Sequence, residues 1–190
     1  MIFITGFHHS GTSLLARTVE MMGFRFGTNI DRHHEHEDLK KVDDGFIGNW
    51  MHPVTNFHFG NIEVPADIDA YKNPRLMVTA PAWHNSFPMS HWIHITRDPY
   101  DVAIDIMDEK ERPQDPRFWI ELQEKYAIQF ALFCAVSRPN LLNISYDKLC
   151  GYPDFSARLI ASFLGKPERG QYVADWAKQN YRFQTYKVYL

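Results

Sequence analysis

The first thirteen residues constrain this chain more than any other stretch. Ile2-Phe3-Ile4-Thr5 is a short apolar run of the kind that forms a buried strand, and Gly6 ends it. Gly6-Phe7-His8-His9-Ser10-Gly11-Thr12-Ser13 follows, with its glycines spaced as in a phosphate loop. Leu14, Leu15, Val19 and Met22 then recur at helical spacing, and Gly23 stops the helix. Strand, glycine loop and helix in immediate succession open an α/β unit. The loop is suited to an anion: glycines let backbone N–H groups converge, and the helix N-terminus adds its positive end.

The rest of the chain continues the alternation. His33 to Trp50 starts polar and becomes a mixed helix after an irregular loop. Asn56 to Pro65 has neither period and reads as loop, and Ile68 to Lys72 as a strand stopped by Asn73-Pro74. Pro81 to Phe87 reads as a short helix closed by Pro88. His91 to Thr96 is a clearer strand, followed by Asp98-Pro99, an N-cap with proline at the first helical position. Asp115-Pro116 repeats that start signal. Trp119, Leu122, Tyr126, Phe130 and Phe133 then form one stripe, read as core. Leu141 to Ser145 is a further strand. Pro153-Asp154 starts a helix with Phe155, Leu159, Ile160, Phe163 and Leu164 on its apolar side. The expected fold is an α/β three-layer sandwich, a central parallel sheet flanked by helices, of the P-loop nucleotide-binding type. A length of 190 residues suits a single domain over 1–190.

Composition removes several classes of function. The net charge of −3 provides no overall positive field to gather nucleic acid. Two cysteines, Cys134 and Cys150, are too few for a disulfide framework or a Cys-ligated zinc site. The longest apolar runs are strand-sized, so no membrane span is expected. Met1 to Gly6 lacks a basic n-region and leads directly into a strand, so a secretory signal is not expected either. These features favour a cytoplasmic protein with reduced thiols.

Thr12 stands where a nucleoside-triphosphate loop carries its lysine. That lysine reaches the β- and γ-phosphates of a triphosphate, so its absence disfavours a kinase or ATPase. Thr5-Gly6-Phe7-His8-His9-Ser10-Gly11-Thr12-Ser13-Leu14-Leu15 resembles instead the 5′-phosphosulfate loop of P-loop sulfotransferases, written as a basic residue followed by Ser-Gly-Thr-Ser/Thr. His9 takes the basic position, where that family carries Arg or Lys. An unperturbed imidazole titrates near about 6.5, and a neighbouring phosphate favours its charged form.

His94-Ile95-Thr96-Arg97-Asp98-Pro99-Tyr100-Asp101-Val102-Ala103 resembles the family's second nucleotide motif, which binds the 3′-phosphate. Arg97 offers a fork of charged hydrogen bonds. Asp105 falls where the family has a serine; either it orients Arg97, or the 3′-phosphate sits differently, or the donor differs. Tyr71-Lys72-Asn73-Pro74-Arg75-Leu76 resembles a Lys-x-Pro-Arg segment of bacterial sulfotransferases. Lys72 at a strand end could reach the bridging oxygen; the alternative is that Lys72 and Arg75 are solvated turn residues. Ile144 to Leu149 resembles the family's Tyr-Glu-Asp-Leu segment, a structural piece. Arg169-Gly170 resembles its C-terminal Arg-Lys-Gly loop.

The resemblance implies transfer of a sulfuryl group from 3′-phosphoadenosine 5′-phosphosulfate to a hydroxyl or amine acceptor by in-line displacement. Adenosine 3′,5′-bisphosphate is the product and no metal is required. The expected donor-binding residues are Phe7, His8, His9, Ser10, Gly11, Thr12, Ser13, Arg97 and Asp105. The expected catalytic residues are His9, Lys72 and, as base, Glu37 in Asp31-Arg32-His33-His34-Glu35-His36-Glu37-Asp38, with Glu35 and His36 as its alternatives. That stretch has no histidine pair one turn apart, so a zinc site is not expected. Acidic residues there (Glu35, Glu37, Asp38, Asp43 and Asp44) argue for a small or weakly charged hydroxyl acceptor rather than a polyanion. Two rivals stay open. One is a P-loop nucleotide or small-molecule kinase using ATP and magnesium. The other is a non-catalytic nucleotide-binding module, motivated by His9 and Asp105.

Overall fold

The computed structural model describes residues 1–50, 61–108 and 115–180. In chain order its elements are β1 (Ile2–Thr5), α1 (Thr12–Met21), α2 (Glu37–Trp50), β2 (Ala70–Lys72), α3 (Leu76–Ser86), β3 (His91–Thr96), α4 (Pro99–Met107), α5 (Pro116–Ser137), β4 (Asn140–Ser145), α6 (Tyr146–Gly151), α7 (Pro153–Phe163) and α8 (Gly170–Asn180). The four strands form one parallel sheet in the order β2-β1-β3-β4. β1 is central, with Ile4 opposite both Lys72 and Ile93.

A central strand is covered on both faces, which is why β1 is apolar throughout. Ile2 and Ile4 pack with Leu15 and Val19 of α1, Ile160 of α7 and Val173 of α8. Phe3 points the other way, to Leu76 and Trp83 of α3, Val102 of α4 and Phe130 of α5. β3 alternates in the same manner, Ile93 and Ile95 to the first layer and Trp92 to the second. Two helical layers around one sheet make the expected sandwich. Leu15, Leu76, Phe3 and Ile4 are fully buried, each contributing about 1.5–3 kcal/mol.

The local start signals act as their chemistry dictates. Asp98 accepts from the amides of Tyr100 and Asp101, and Asp115 from that of Arg117. The α5 stripe packs inward, with Trp119, Phe130 and Phe133 buried and Leu122 and Tyr126 half-buried against them.

Three elements differ from the sequence reading. α3 begins at Leu76, so Pro81 lies inside it rather than at its start. The turn Asn73-Pro74-Arg75 sets that start, with Asn73 Oδ1 accepting from the Arg75 amide; burial of Leu76, Met77, Ala80 and Trp83 offsets the bond Pro81 cannot make. On α7, Ala157 and Ala161 are buried beside Ile160, while Phe155 is 61% exposed, because the close approach of α8 favours small residues there. Residues 167–180 form a 3-10 turn and α8, so Arg169 and Gly170 lie in helical turns rather than in the loop the resemblance implied. Arg169 stacks on Tyr172 and lies near Gly23, at the end of α1 away from Gly11. Part of the expected loop Asn56–Pro65 lies outside the described residues. Among the described residues, no helix is long and apolar enough to cross a membrane.

Candidate active site

In an open parallel sheet, ligands bind beyond the carboxyl ends of the strands, where the strand order reverses. Here the chain runs from β1 to β2 on one side and later to β3 on the other, so the reversal lies at β1 and β3. The end of β1 gives the glycine loop, the end of β2 Lys72, the end of β3 Arg97 and the end of β4 Tyr146. Residues from all four line one cavity of about 520 Å³, together with Asp31, His33, Glu35, Lys40 and Arg75. A cavity of about 610 Å³ at the opposite end of the sheet, beside Met1, His91 and Leu164, contains none of the sequence-predicted groups.

The loop is built around close approaches. A side chain at Gly6 would meet Ile95, and one at Gly11 would enter the ring of Tyr146. Gly11 also has φ +96°, a conformation L side chains rarely adopt. It directly precedes α1, whose first-turn amides at Thr12, Ser13 and Leu14 are those an α-helix leaves without an i−4 acceptor. Gly11→Ala is therefore expected to weaken nucleotide binding at least tenfold and lower the melting temperature by several degrees, measured by calorimetry and thermal unfolding. Unchanged binding would show that the Gly11–Tyr146 approach does not shape the site.

The predicted loop residues divide by role. His8, His9, Gly11, Thr12 and Ser13 line the cavity. Phe7 and Ser10 do not. Phe7 is buried edge-on against Tyr126, and the Ser10 hydroxyl donates back to the Phe7 carbonyl at 2.6 Å, closing the loop on itself. Burial, with Arg75 and Lys72 nearby, holds the His8 imidazole down at about 4 despite the opposing pull of Glu35, so this ring is neutral at pH 7.

Lys72 and Glu35 form the centre of the opposite wall. Lys72 is 2% exposed and donates to Glu35 Oε1 at 2.8 Å. Burial lowers its ammonium pKa and the Glu35 carboxylate opposes that shift. Lys40 approaches Glu35 Oε2 at 3.7 Å and Asp31 at 3.8 Å. Glu35 points inward because its loop is pinned: Asp31 Oδ1 accepts from the amides of His33 and Glu35, and Ile30 bridges His36. Ser13 ties this loop to α1 through the His33 carbonyl. His36 consequently turns away, toward Gly27. Glu37, the sequence-favoured base, opens α2 and is outside the cavity lining, while its alternative Glu35 is inside.

Arg97 pairs with Asp105 in the second turn of α4, donates to the His9 carbonyl at 3.0 Å, and lies 4.7 Å over the Tyr146 ring. Of the possibilities for Asp105, the arrangement is that of a carboxylate holding Arg97; Asp105 itself does not line the cavity. Arg75 is at the rim, 3.1 Å from Asp44. The acidic run is likewise dispersed: Asp38 binds Lys41 and Asn29, Asp43 is buried behind β2, and of the run only Glu35 faces the cavity. No group of three or more His, Cys, Asp or Glu side chains among the described residues could hold a metal ion. Tyr146, Lys40 and Asp31 were missed as site residues. Tyr146 was legible, since it immediately follows a strand, as the glycine loop and Arg97 do.

The model of the sulfotransferase domain matches residues 1–189. No curated protein matches the sequence. Among solved structures, the chain resembles retinol dehydratase in complex with androsterone and inactive cofactor PAP, with TM-score 0.51 and 15% identity over 93% of this chain and 63% of that one. A mouse sulfotransferase complexed with PAP gives TM-score 0.53 and 17% identity, again over 93% and 63%. A sulfotransferase domain from the curacin biosynthetic pathway gives 0.51 and 16%, over 88% and 74%. At these identities the likeness is one of fold. The chain spans less than two thirds of the length of the first two.

Proposed function

The chain belongs to the sulfotransferase family, and from that premise we propose that residues 1–190 act as one domain that transfers a sulfuryl group from 3′-phosphoadenosine 5′-phosphosulfate to a hydroxyl or amine acceptor. The observation that carries this reading is two anion sites on one cavity: the lysine-free loop at the start of α1, and Arg97 at the end of β3. The cavity suits a nucleotide with two separate phosphate groups. Lys40, Lys72, Arg75 and Arg97 outnumber Asp31 and Glu35 in its lining. Two of the similar structures hold PAP, the corresponding bisphosphate.

When bound, the donor supplies the sulfuryl group, whose bond to the phosphate oxygen breaks as its bond to the acceptor oxygen forms. The amides of Thr12, Ser13 and Leu14, with His9, hold the 5′-phosphate. Arg97, oriented by Asp105, holds the 3′-phosphate. Lys72 places positive charge where the leaving oxygen gains negative charge. Glu35 takes the acceptor's proton, and the neutral His8 offers a hydrogen bond to the same region. Glu35 replaces Glu37 in this role because it lines the cavity. No metal takes part in this scheme.

The acceptor is a small, weakly charged hydroxyl compound. Its support is the shared 520 Å³ cavity and the small steroid held by one similar structure. The free cysteines fit a cytoplasmic setting.

The expected result is that adenosine 3′,5′-bisphosphate raises the melting temperature more than ATP with magnesium does. Binding to the folded state alone contributes about 2.7 kcal/mol at a hundredfold excess over Kd. A clear preference for ATP with magnesium in a thermal-shift titration would establish the kinase alternative.

A further inference from the structure

Asp43 lies on α2, is fully buried, and has no place in the scheme above. Its carboxylate is saturated. Oδ2 accepts from the Tyr71 hydroxyl at 2.5 Å and from Asn73 Nδ2 at 2.7 Å. Oδ1 accepts from the Thr79 hydroxyl at 2.7 Å and from Trp83 Nε1 at 2.8 Å. Each of the four partners carries a hydrogen it can donate to the carboxylate. Burial pushes its carboxyl up, and the hydrogen bonds from Thr79, Tyr71 and Trp83 pull against that.

The two oxygens address different elements. Oδ1 anchors to α3. Oδ2 holds the residues on either side of Lys72, and Asn73 Nδ2 also donates to the Tyr71 hydroxyl at 2.7 Å, closing a triangle. Asn73 in turn fixes the Arg75 amide. One turn earlier on the same helix Lys40 approaches Glu35, and the next residue, Asp44, meets Arg75. One face of α2 therefore contacts two cavity groups directly, Glu35 and Arg75, and through Asp43 the two residues that flank a third, Lys72.

We propose that Asp43 is a positioning residue. By fixing Tyr71 and Asn73 it sets the direction of Lys72 and hence the geometry of the Lys72–Glu35 pair at the reacting centre. The proposal rests on the sulfotransferase reading for its catalytic consequence, but its structural half can be tested without turnover. A shift of about 1 Å in a positioned group can cost about 10²-fold in rate, so the expected effect is large for a side chain that touches no substrate.

The test compares the two sides of the hub in the full chain. Asn73→Ser disturbs the Lys72 side and Asp43→Asn the whole hub; serine can still support the turn weakly, which protects folding. Thr79→Val removes one bond on the α3 side and keeps shape. The readouts are kcat and donor KM well below the melting temperature, and the Lys72 ammonium resonance in ¹H–¹⁵N spectra of the ligand-free protein, assigned with Lys72→Met. Asp43→Asn and Asn73→Ser should lower kcat roughly 10–100-fold with donor KM changed less than about threefold. Both should also lose or strongly shift the Lys72 resonance. Thr79→Val should lose stability yet keep both. Equal effects from Thr79→Val, or an unmoved Lys72 resonance in Asp43→Asn and Asn73→Ser, would overturn the positioning role. Absence of sulfuryl transfer in the unmodified protein would count against the function alone, and the resonance comparison would still decide Asp43.

Discussion

Glu35→Gln is expected to lower sulfuryl transfer by about 10²–10⁴, the usual range for loss of a general base. The change keeps size and removes basicity. It also leaves Lys72 buried without its carboxylate, at 2% exposure. Breaking a buried pair from one side costs about 3–5 kcal/mol, unless the amine sheds its proton. Two consequences must be separated, and the pair itself allows it. In Glu35→Gln/Lys72→Met the orphaned charge is gone, so most of the stability should return while turnover stays lost. Urea unfolding and single-turnover transfer measure the two. Glu37→Gln serves as control and should retain turnover within a few-fold, since Glu37 does not line the cavity. Loss of turnover in Glu37→Gln with retention in Glu35→Gln would return the base to α2.

Arg97→Ala should weaken binding of adenosine 3′,5′-bisphosphate by about 10–150-fold, the equivalent of about 1.5–3 kcal/mol for a charged hydrogen bond. Two effects add here. The 3′-phosphate loses its partner, and the loop loses the 3.0 Å bond from Arg97 to the His9 carbonyl. Arg97→Lys should recover only part of the affinity: the contacts to Asp105 and the His9 carbonyl both leave from Nη1 and one ammonium can make them, but the planar two-nitrogen edge for a phosphate is lost. The control belongs at Lys41, which is exposed and paired with Asp38, rather than at Lys40, which lines the cavity. Equal affinities for Arg97→Ala and Lys41→Ala by calorimetry would make Arg97 a structural residue only.

The parts legible in the sequence were those whose physics is local. A strand ending in glycine, an Asp-Pro cap and a period of 3.6 are complete within a dozen residues, and they placed Ile2–Thr5, Arg97 and the α5 stripe correctly. Where a distant partner decides, sequence reading failed. Pro81 looked like a helix start because the turn that starts α3, Asn73-Pro74-Arg75, is held from α2 by Asp43. That Glu35 and not Glu37 lines the cavity could not be read from adjacency in the chain, because facing is set by the Asp31 hydrogen bonds and the Ile30–His36 bridge. The acidic run looked like one field. Once folded, Glu35, Asp38, Asp43 and Asp44 meet different partners, and Lys and Arg outnumber Asp and Glu in the cavity lining. The resemblance implied a loop at Arg169-Gly170, whereas Val173, Ala174 and Ala177, just beyond, pack as a helix in the core.

The central position of β1 has a consequence for the order of events in folding. Ile2 pairs with Ala70 on one side and His91 on the other, so each sheet contact of β1 closes a long stretch of chain. Loop-closure entropy is lost before such contacts return any energy, and parallel pairings of this kind form slowly. The cavity has walls only after β2 and β3 have both docked, because Lys72 and Arg97 arrive with them. If β2 and β3 dock after the folding transition state, a nucleotide that recognises the finished cavity finds no site there. It therefore acts as a brake on unfolding, prolonging the life of the folded chain without hastening its formation.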